Sequence, residues 1–389
     1  MRRITSQARG SLAASPSDTA PQPISFARLA GAGPFALAAF AVAICAAYAF
    51  PVIPLVLIAA LLVYAAILWR EPCLWLFFVP ALIPVLNLAP WSGRFFFDEL
   101  DLFLLTTVAV WLLRGHLGKS TRMAPVASLA IGLFVIVFLV SLLIGISPLE
   151  PLDANSFANY YSKYNGLRVG KSLGWAIVFI VLLRAELGRD RKALTSYWVP
   201  GILAGLAGVV CVALWERVAF PGLTNFSEEY RVTSTFGSMH VGGGAIDGYL
   251  ALALPFTLVW LSETKSMVKV AAAAAILALG SYTILTTFSR GLYGACVVMV
   301  VALAFGAMLR QKATGAFSAS RAIAVVLTIL ILSGLCFGVF AWGGYRSLAA
   351  VLGLLALAFF CGRKGEIRDG GVNGDSPRIG FNRRQSSLR

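Results

Sequence analysis

The sequence predicts an all-α fold, a polytopic transmembrane helical bundle of about twelve helices, within a range of ten to twelve, with both termini cytoplasmic. Three observations predict it. Hydrophobic residues make up 59% of the 389 and charged residues only 13%, with a mean hydropathy of +0.83; soluble domains average about 25% charged. The apolar residues come in runs of roughly 15 to 22, long enough as helices to cross a hydrocarbon core of about 30 Å. The third observation is where the lysines and arginines fall between those runs. The runs lack the strict alternation of barrel strands, and backbone groups in lipid must be satisfied within the segment, so helices are the expected form.

In chain order the expected spans are 29–49, 52–69, 73–90, 99–113, 125–145, 172–184, 196–215, 243–261, 269–288, 291–309, 322–342 and 347–361. The third holds Pro80 and Pro84, and the third, fourth, sixth and twelfth are short or interrupted, which keeps a count of ten or eleven open. Residues 1–28 form a basic cytoplasmic tail whose charged region and following apolar run are too long for a signal peptide. Residues 29–361 form the membrane domain, with longer outer loops at 146–171 and 216–244, and 362–389 form a basic tail expected to be disordered.

Of the 32 lysines and arginines, 24 fall in segments that this threading places inside, and eight fall outside: Arg94, Lys163, Arg168, Lys171, Arg217, Arg231, Arg290 and Arg346. Cationic loops are retained in the cytoplasm, so the asymmetry orients the chain. It also accounts for the net charge of +15 without nucleic acid as a partner. The six cysteines lie in or beside apolar runs without CxxC spacing, which argues against disulfides and a zinc site.

Chemistry is sought among the polar groups near the outer face, since each must find a partner or line a wet cavity. Three features qualify: residues 231–237, Arg-Val-Thr-Ser-Thr-Phe-Gly, leading past His240 and a triple glycine into the helix of Asp247; residues 286–291, Thr-Thr-Phe-Ser-Arg-Gly; and Arg168 with Lys171. An outer arginine at a tight turn runs against the charge trend. Either it snorkels to lipid phosphate, or Arg290 and Arg231 converge on an anion whose oxygens match the guanidinium fork, with Ser289, Thr286 and Thr287 as neutral donors. Glu228 and Glu229 read as a solvated loop face. Asp98, Glu99 and Asp101 resemble a metal cluster on paper but sit where acidic residues stabilise a helix N-terminus; no metal and no cofactor are expected.

Residues 231–260 and 283–305 carry an arginine followed by Ser-Thr-Phe-Gly, a polar helix start, Leu-Pro-Phe, and then Thr-x-Phe-Ser-Arg-Gly opening an apolar helix. In this order the chain resembles the O-antigen ligase and O-antigen polymerase superfamily, closely over about a third of its length and otherwise by topology. The resemblance implies a bacterial inner-membrane protein that transfers or polymerises glycans carried on undecaprenyl pyrophosphate, with membrane lipids and other polysaccharide-assembly proteins around it. It matches Arg231 and Arg290 to the pyrophosphate-binding arginines, and Ser289 and Arg168 complete the expected anion set. The pyrophosphate is the leaving group, so fixed cations would stabilise the charge that builds on it. A base would assist the attacking hydroxyl, and His240 and Asp247 are the candidates near Arg231.

The chain departs from the ligase branch, which carries a large outer loop late in the sequence with a histidine. Here only Gly-Gly-Tyr-Arg at 343–346 stands where that loop would open, and no histidine follows 240. The departure favours polymerisation over ligation. A solute transporter of the bicarbonate type is the alternative, but transporters place broken helices and ionisable groups near the midplane, whereas these charges gather at the outer rim. A noncatalytic assembly component is a third reading.

Overall fold

The computed structural model describes residues 26–86, 96–114, 123–153, 156–157, 161–226, 230–236, 244–264, 266–313 and 319–372, and every regular element among them is helical. The tails at 1–25 and 373–389, Glu228, Glu229 and His240 lie outside the described residues. Six stretches are long and apolar enough to cross a membrane: Pro125–Ile146, Asn165–Arg189, Leu194–Ala219, Gly244–Leu261, Met267–Thr286 and Gly334–Leu355. Shorter apolar helices cover Gly33–Tyr48, Pro54–Arg70, Pro72–Leu82 and Arg290–Gly306. This helical architecture fits a membrane protein.

The first helices are α1 (Phe26–Tyr48), α2 (Pro54–Arg70) and α3 (Trp75–Leu82). α3 is far shorter than the span expected at 73–90, and Pro80 inside it withholds a backbone donor. α4 (Glu99–Leu113) opens with a capping box in which the Asp98 and Asp101 side chains each accept the other's backbone N–H, at 3.1 and 2.8 Å. α5 (Pro125–Ile146) exposes apolar side chains along its length, among them Val126, Leu133, Val137 and Ile144, as a lipid-facing helix does.

α6 (Asn165–Arg189) corrects the expected span at 172–184. Polar residues that read as loop, Arg168 and Lys171 included, form its first two turns, and the loop before it is correspondingly shorter. A π turn at Leu194–Trp198 runs into α7 (Val199–Ala219). The eighth expected span breaks before Pro255 into α8 (Gly244–Ala253) and α9 (Pro255–Glu263), followed by α10 (Met267–Thr286) and α11 (Arg290–Ala313). The last two expected spans lie in α12 (Ala319–Val372), where two helices meet at Gly344 with φ 62°. Helix continues to Val372.

Four packed clusters make the core among the described residues, and the two largest matter for the site. One gathers Tyr64, Trp75, Leu76, Leu104, Trp111 and Leu182 from α2, α3, α4 and α6. The other gathers Leu206, Val210, Val232, Ile246, Leu250 and Leu292 from α7, α8, α11 and the loop between α7 and α8. They join where α3 lies on α7. Contact there requires glycine: a Cβ on Gly201 would stand 2.3 Å from the Phe77 carbonyl oxygen, and one on Gly205 2.8 Å from that of Pro80. Small residues let membrane helices approach this closely. Gly201→Ala is therefore expected to destabilise the purified protein by about 1–3 kcal/mol, the usual cost of overpacking, read as a lower thermal midpoint in detergent.

Candidate functional site

The acidic start of α4 faces the basic start of α6. Lys171 Nζ donates to the Phe96 carbonyl at 2.6 Å, pairs with the Asp101 carboxylate, and lies 3.6 Å from Asp98 Oδ2. Trp175 Nε1 donates to the other Asp101 oxygen at 2.6 Å. Asp101 is only 2% exposed, so the ion pair and the indole supply what water would otherwise give its charge. Burial, and then the neighbouring Asp101, push the Asp98 carboxyl up to about 6, with Lys171 opposing them. Asp98 and Asp101 are thus occupied by the helix cap and Lys171, and among the described residues no three His, Cys, Asp or Glu side chains gather as a metal-holding group.

These residues form one end of a cavity of about 690 Å³. Its charged lining, Asp98, Asp101, Arg168 and Lys171, comes from the first turns of α4 and α6 and the residue before α4, with Ser172 and Trp175 next to it on α6. Beyond them the wall is apolar, following α6 through Ala176, Phe179 and Ile180 to Leu183. Arg168 and Leu183 lie fifteen positions apart on one helix, about 22 Å at 1.5 Å per residue. The result is a long apolar slot charged at a single end. Phe236 and Ala245 line the same slot, so the loop of Arg231 and the helix of Asp247 both border it.

The Arg231 loop is held from two sides. On one side Glu216, 6% exposed near the end of α7, accepts the Ser234 N–H at 2.7 Å, the Thr233 N–H at 3.1 Å and the Tyr230 hydroxyl at 3.1 Å, and the Ser234 hydroxyl donates to the Val209 carbonyl at 2.6 Å. On the other side the Val232 N–H donates to the Thr286 carbonyl at the end of α10, at 3.3 Å. That bond brings the arginine loop to the Ser-Arg-Gly turn. Val232, Ile246 and Leu292 share one buried cluster, which places Arg231, Asp247 and Arg290 on the margins of a common core.

Arg231 and Arg290 are both exposed and form no ion pair among the described residues. Arg290 opens α11, where the helix dipole already places positive charge. A cation at that end is unfavourable by itself, and an anion there would interact well with both the guanidinium and the free N–H groups. Asp247 Oδ1 is buried without a hydrogen-bond partner, an acceptor left open beside this cluster. Tyr293, one turn into α11, lies within electrostatic reach of both Asp247 and Arg231.

Several expected roles change. Thr286 and Thr287 are buried and donate their hydroxyls to the Thr283 and Ile284 carbonyls at 2.8 Å, so they are not donors for a ligand. Ser289 caps α11, its hydroxyl oxygen accepting the Leu292 N–H at 3.3 Å. Arg168 lines the slot rather than joining Arg231 and Arg290, neither of which lines it. Glu216 and Tyr293 were not expected in the site, and the only signal for Glu216 is a carboxylate at the end of an apolar run. No protein family, curated protein or solved structure matches this chain.

Proposed function

We propose that the chain is a bacterial inner-membrane protein of about twelve spans, both ends cytoplasmic, that transfers saccharide from undecaprenyl pyrophosphate to an acceptor in surface or exopolysaccharide assembly. The slot carries this reading: a lipid chain fits its apolar stretch from Ala176 to Leu183, about 10 Å along α6, and the loop of Arg231 and the helix of Asp247 border the slot through Phe236 and Ala245. In the proposed reaction the acceptor hydroxyl oxygen attacks the anomeric carbon. The bond from that carbon to the pyrophosphate oxygen breaks, its electron pair leaving on the pyrophosphate, and the hydroxyl proton passes to a base. Arg231 and Arg290 stabilise the departing charge, and Asp247 or His240 takes the proton.

A deletion strain tests the class. Accumulation of single repeat units on undecaprenyl pyrophosphate supports polymerisation, and accumulation of full-length chains supports ligation. A normal glycan profile with altered solute uptake rejects both in favour of transport. The orientation is tested separately, with reporter fusions at Gly118, Gly188 and Ala313 expected to report cytoplasm and fusions at Asn155 and Asn225 the outside. A cytoplasmic signal at Asn225 would place the Arg231 loop on the wrong side for this chemistry.

A further inference from the structure

We propose that the Gly343–Arg346 turn of α12 is a clasp over the arginine site and that Tyr345 is its positioning residue, acting through Phe226 on the segment that leads to the Arg231 loop and through Phe288 on the turn of Arg290. The inference rests on the reading of Arg231 and Arg290 as an anion site. It assigns to the late part of the chain the task of holding that site together.

Three elements meet at Tyr345. Its ring stacks on Phe226 with centroids 5.9 Å apart and planes 18° apart, and meets Phe288 edge-on at 5.1 Å and Phe340 at 4.9 Å. Phe226 belongs to the segment between α7 and the Arg231 loop, and Phe288 stands two residues before Arg290. The next residue along, Arg346, donates from Nε to the Thr224 carbonyl at 2.8 Å, fastening the same segment a second time. Tyr282 of α10 adds a third bond to it, from its hydroxyl to the Leu223 carbonyl at 2.6 Å.

Tyr293 of α11 donates its hydroxyl to the Leu285 carbonyl at 3.1 Å, tying α11 to the end of α10 just before Phe288. The kink makes the aromatic contacts of Tyr345 possible. Gly344 has φ 62° and ψ −160°, a conformation that only glycine adopts without strain, and it separates two helical stretches so that Tyr345 and Arg346 meet the loop instead of continuing one straight helix.

The aromatic contacts and the two fastening bonds constrain the α7–α8 segment and the Ser-Arg-Gly turn to one mutual placement. Loss of that placement leaves every ligand-binding group present and displaces it, and displacements of about 1 Å are enough to cost on the order of a hundredfold in function.

The test uses full-length protein in detergent with farnesyl pyrophosphate as the probe, which presents the pyrophosphate and a short prenyl chain without any sugar. Binding affinity and thermal midpoint are measured for Tyr345→Ala, Tyr345→Phe, Arg346→Met and Arg231→Lys. Tyr345→Ala is expected to weaken probe binding tenfold or more, with the midpoint within a few degrees of wild type on the usual scale for a modest loss. Tyr345→Phe keeps the ring and its stacking, so binding near wild type is expected, and Arg346→Met, which loses the bond to the Thr224 carbonyl, should weaken binding by about fivefold. Should Tyr345→Ala fail to fold, Arg346→Met decides the matter. Wild-type affinity in Tyr345→Ala or, where that variant does not fold, in Arg346→Met, alongside weakened binding by Arg231→Lys, overturns the clasp and leaves the anion site standing. Wild-type affinity in Arg231→Lys removes the anion site, and the clasp with it.

Discussion

Arg290→Lys and Arg231→Lys are each expected to lose most glycan transfer while the protein inserts at normal levels. Lysine keeps the charge and loses the planar fork, so a group that binds pyrophosphate through two parallel bonds is sensitive to the exchange, whereas one that merely snorkels to lipid is not. The loss expected is about 2–4 kcal/mol, by analogy with removing one preorganised donor from a charge-stabilising site, a fall of roughly 30- to 1000-fold in rate. Arg290 should be the more sensitive of the two, because it sits at the first turn of α11, where the free N–H groups and the guanidinium act on the same anion. Polymer made at normal rate and matched expression by either variant would make that arginine an anchor.

Lys171→Met is expected to be the most destabilising single change in the slot. Asp101 is 2% exposed and is held by Lys171 and Trp175, and removing one partner of a buried pair leaves a charge without compensation, typically at about 3–5 kcal/mol. The double variant Asp101→Asn with Lys171→Met should recover most of that loss, since both charges go together. Thermal midpoints of the two proteins in detergent make the comparison, and equal midpoints would show that the pair contributes little. Arg168, which lines the same end of the cavity, remains in both variants, so probe binding in the double variant separates the anchoring of the fold from recognition of the anion.

Parts of the site were legible because they broke a pattern. Arg231 and Arg290 stood out against the charge asymmetry, and the spacing of Asp98 and Asp101 carries the capping box that the structure forms. Other parts could not be read. Glu216 looks like the first residue of a loop, yet its carboxylate holds residues fourteen to eighteen positions further on. Tyr293 and Tyr345 sit in apolar helices where a tyrosine usually packs as an amphipathic ring. Thr286 and Thr287, read as ligand donors, turn back on their own helix, an option that local sequence leaves equal to the other.

What the sequence determined alone is the helical membrane class and the order of apolar segments, because both follow from hydropathy summed over a segment and from the need to satisfy backbone groups within it. Where helices end was decided by tertiary contacts. α6 begins at Asn165 because Lys171 finds Asp98, Asp101 and the Phe96 carbonyl across a gap of 70 residues or more, so charges that read as loop can enter a helix. Tertiary structure also decided that Arg168 lines a slot that neither Arg231 nor Arg290 lines. A partner's position in space depends on how α4, α6, α7 and α10 pack, and residue spacing along one chain does not contain that information.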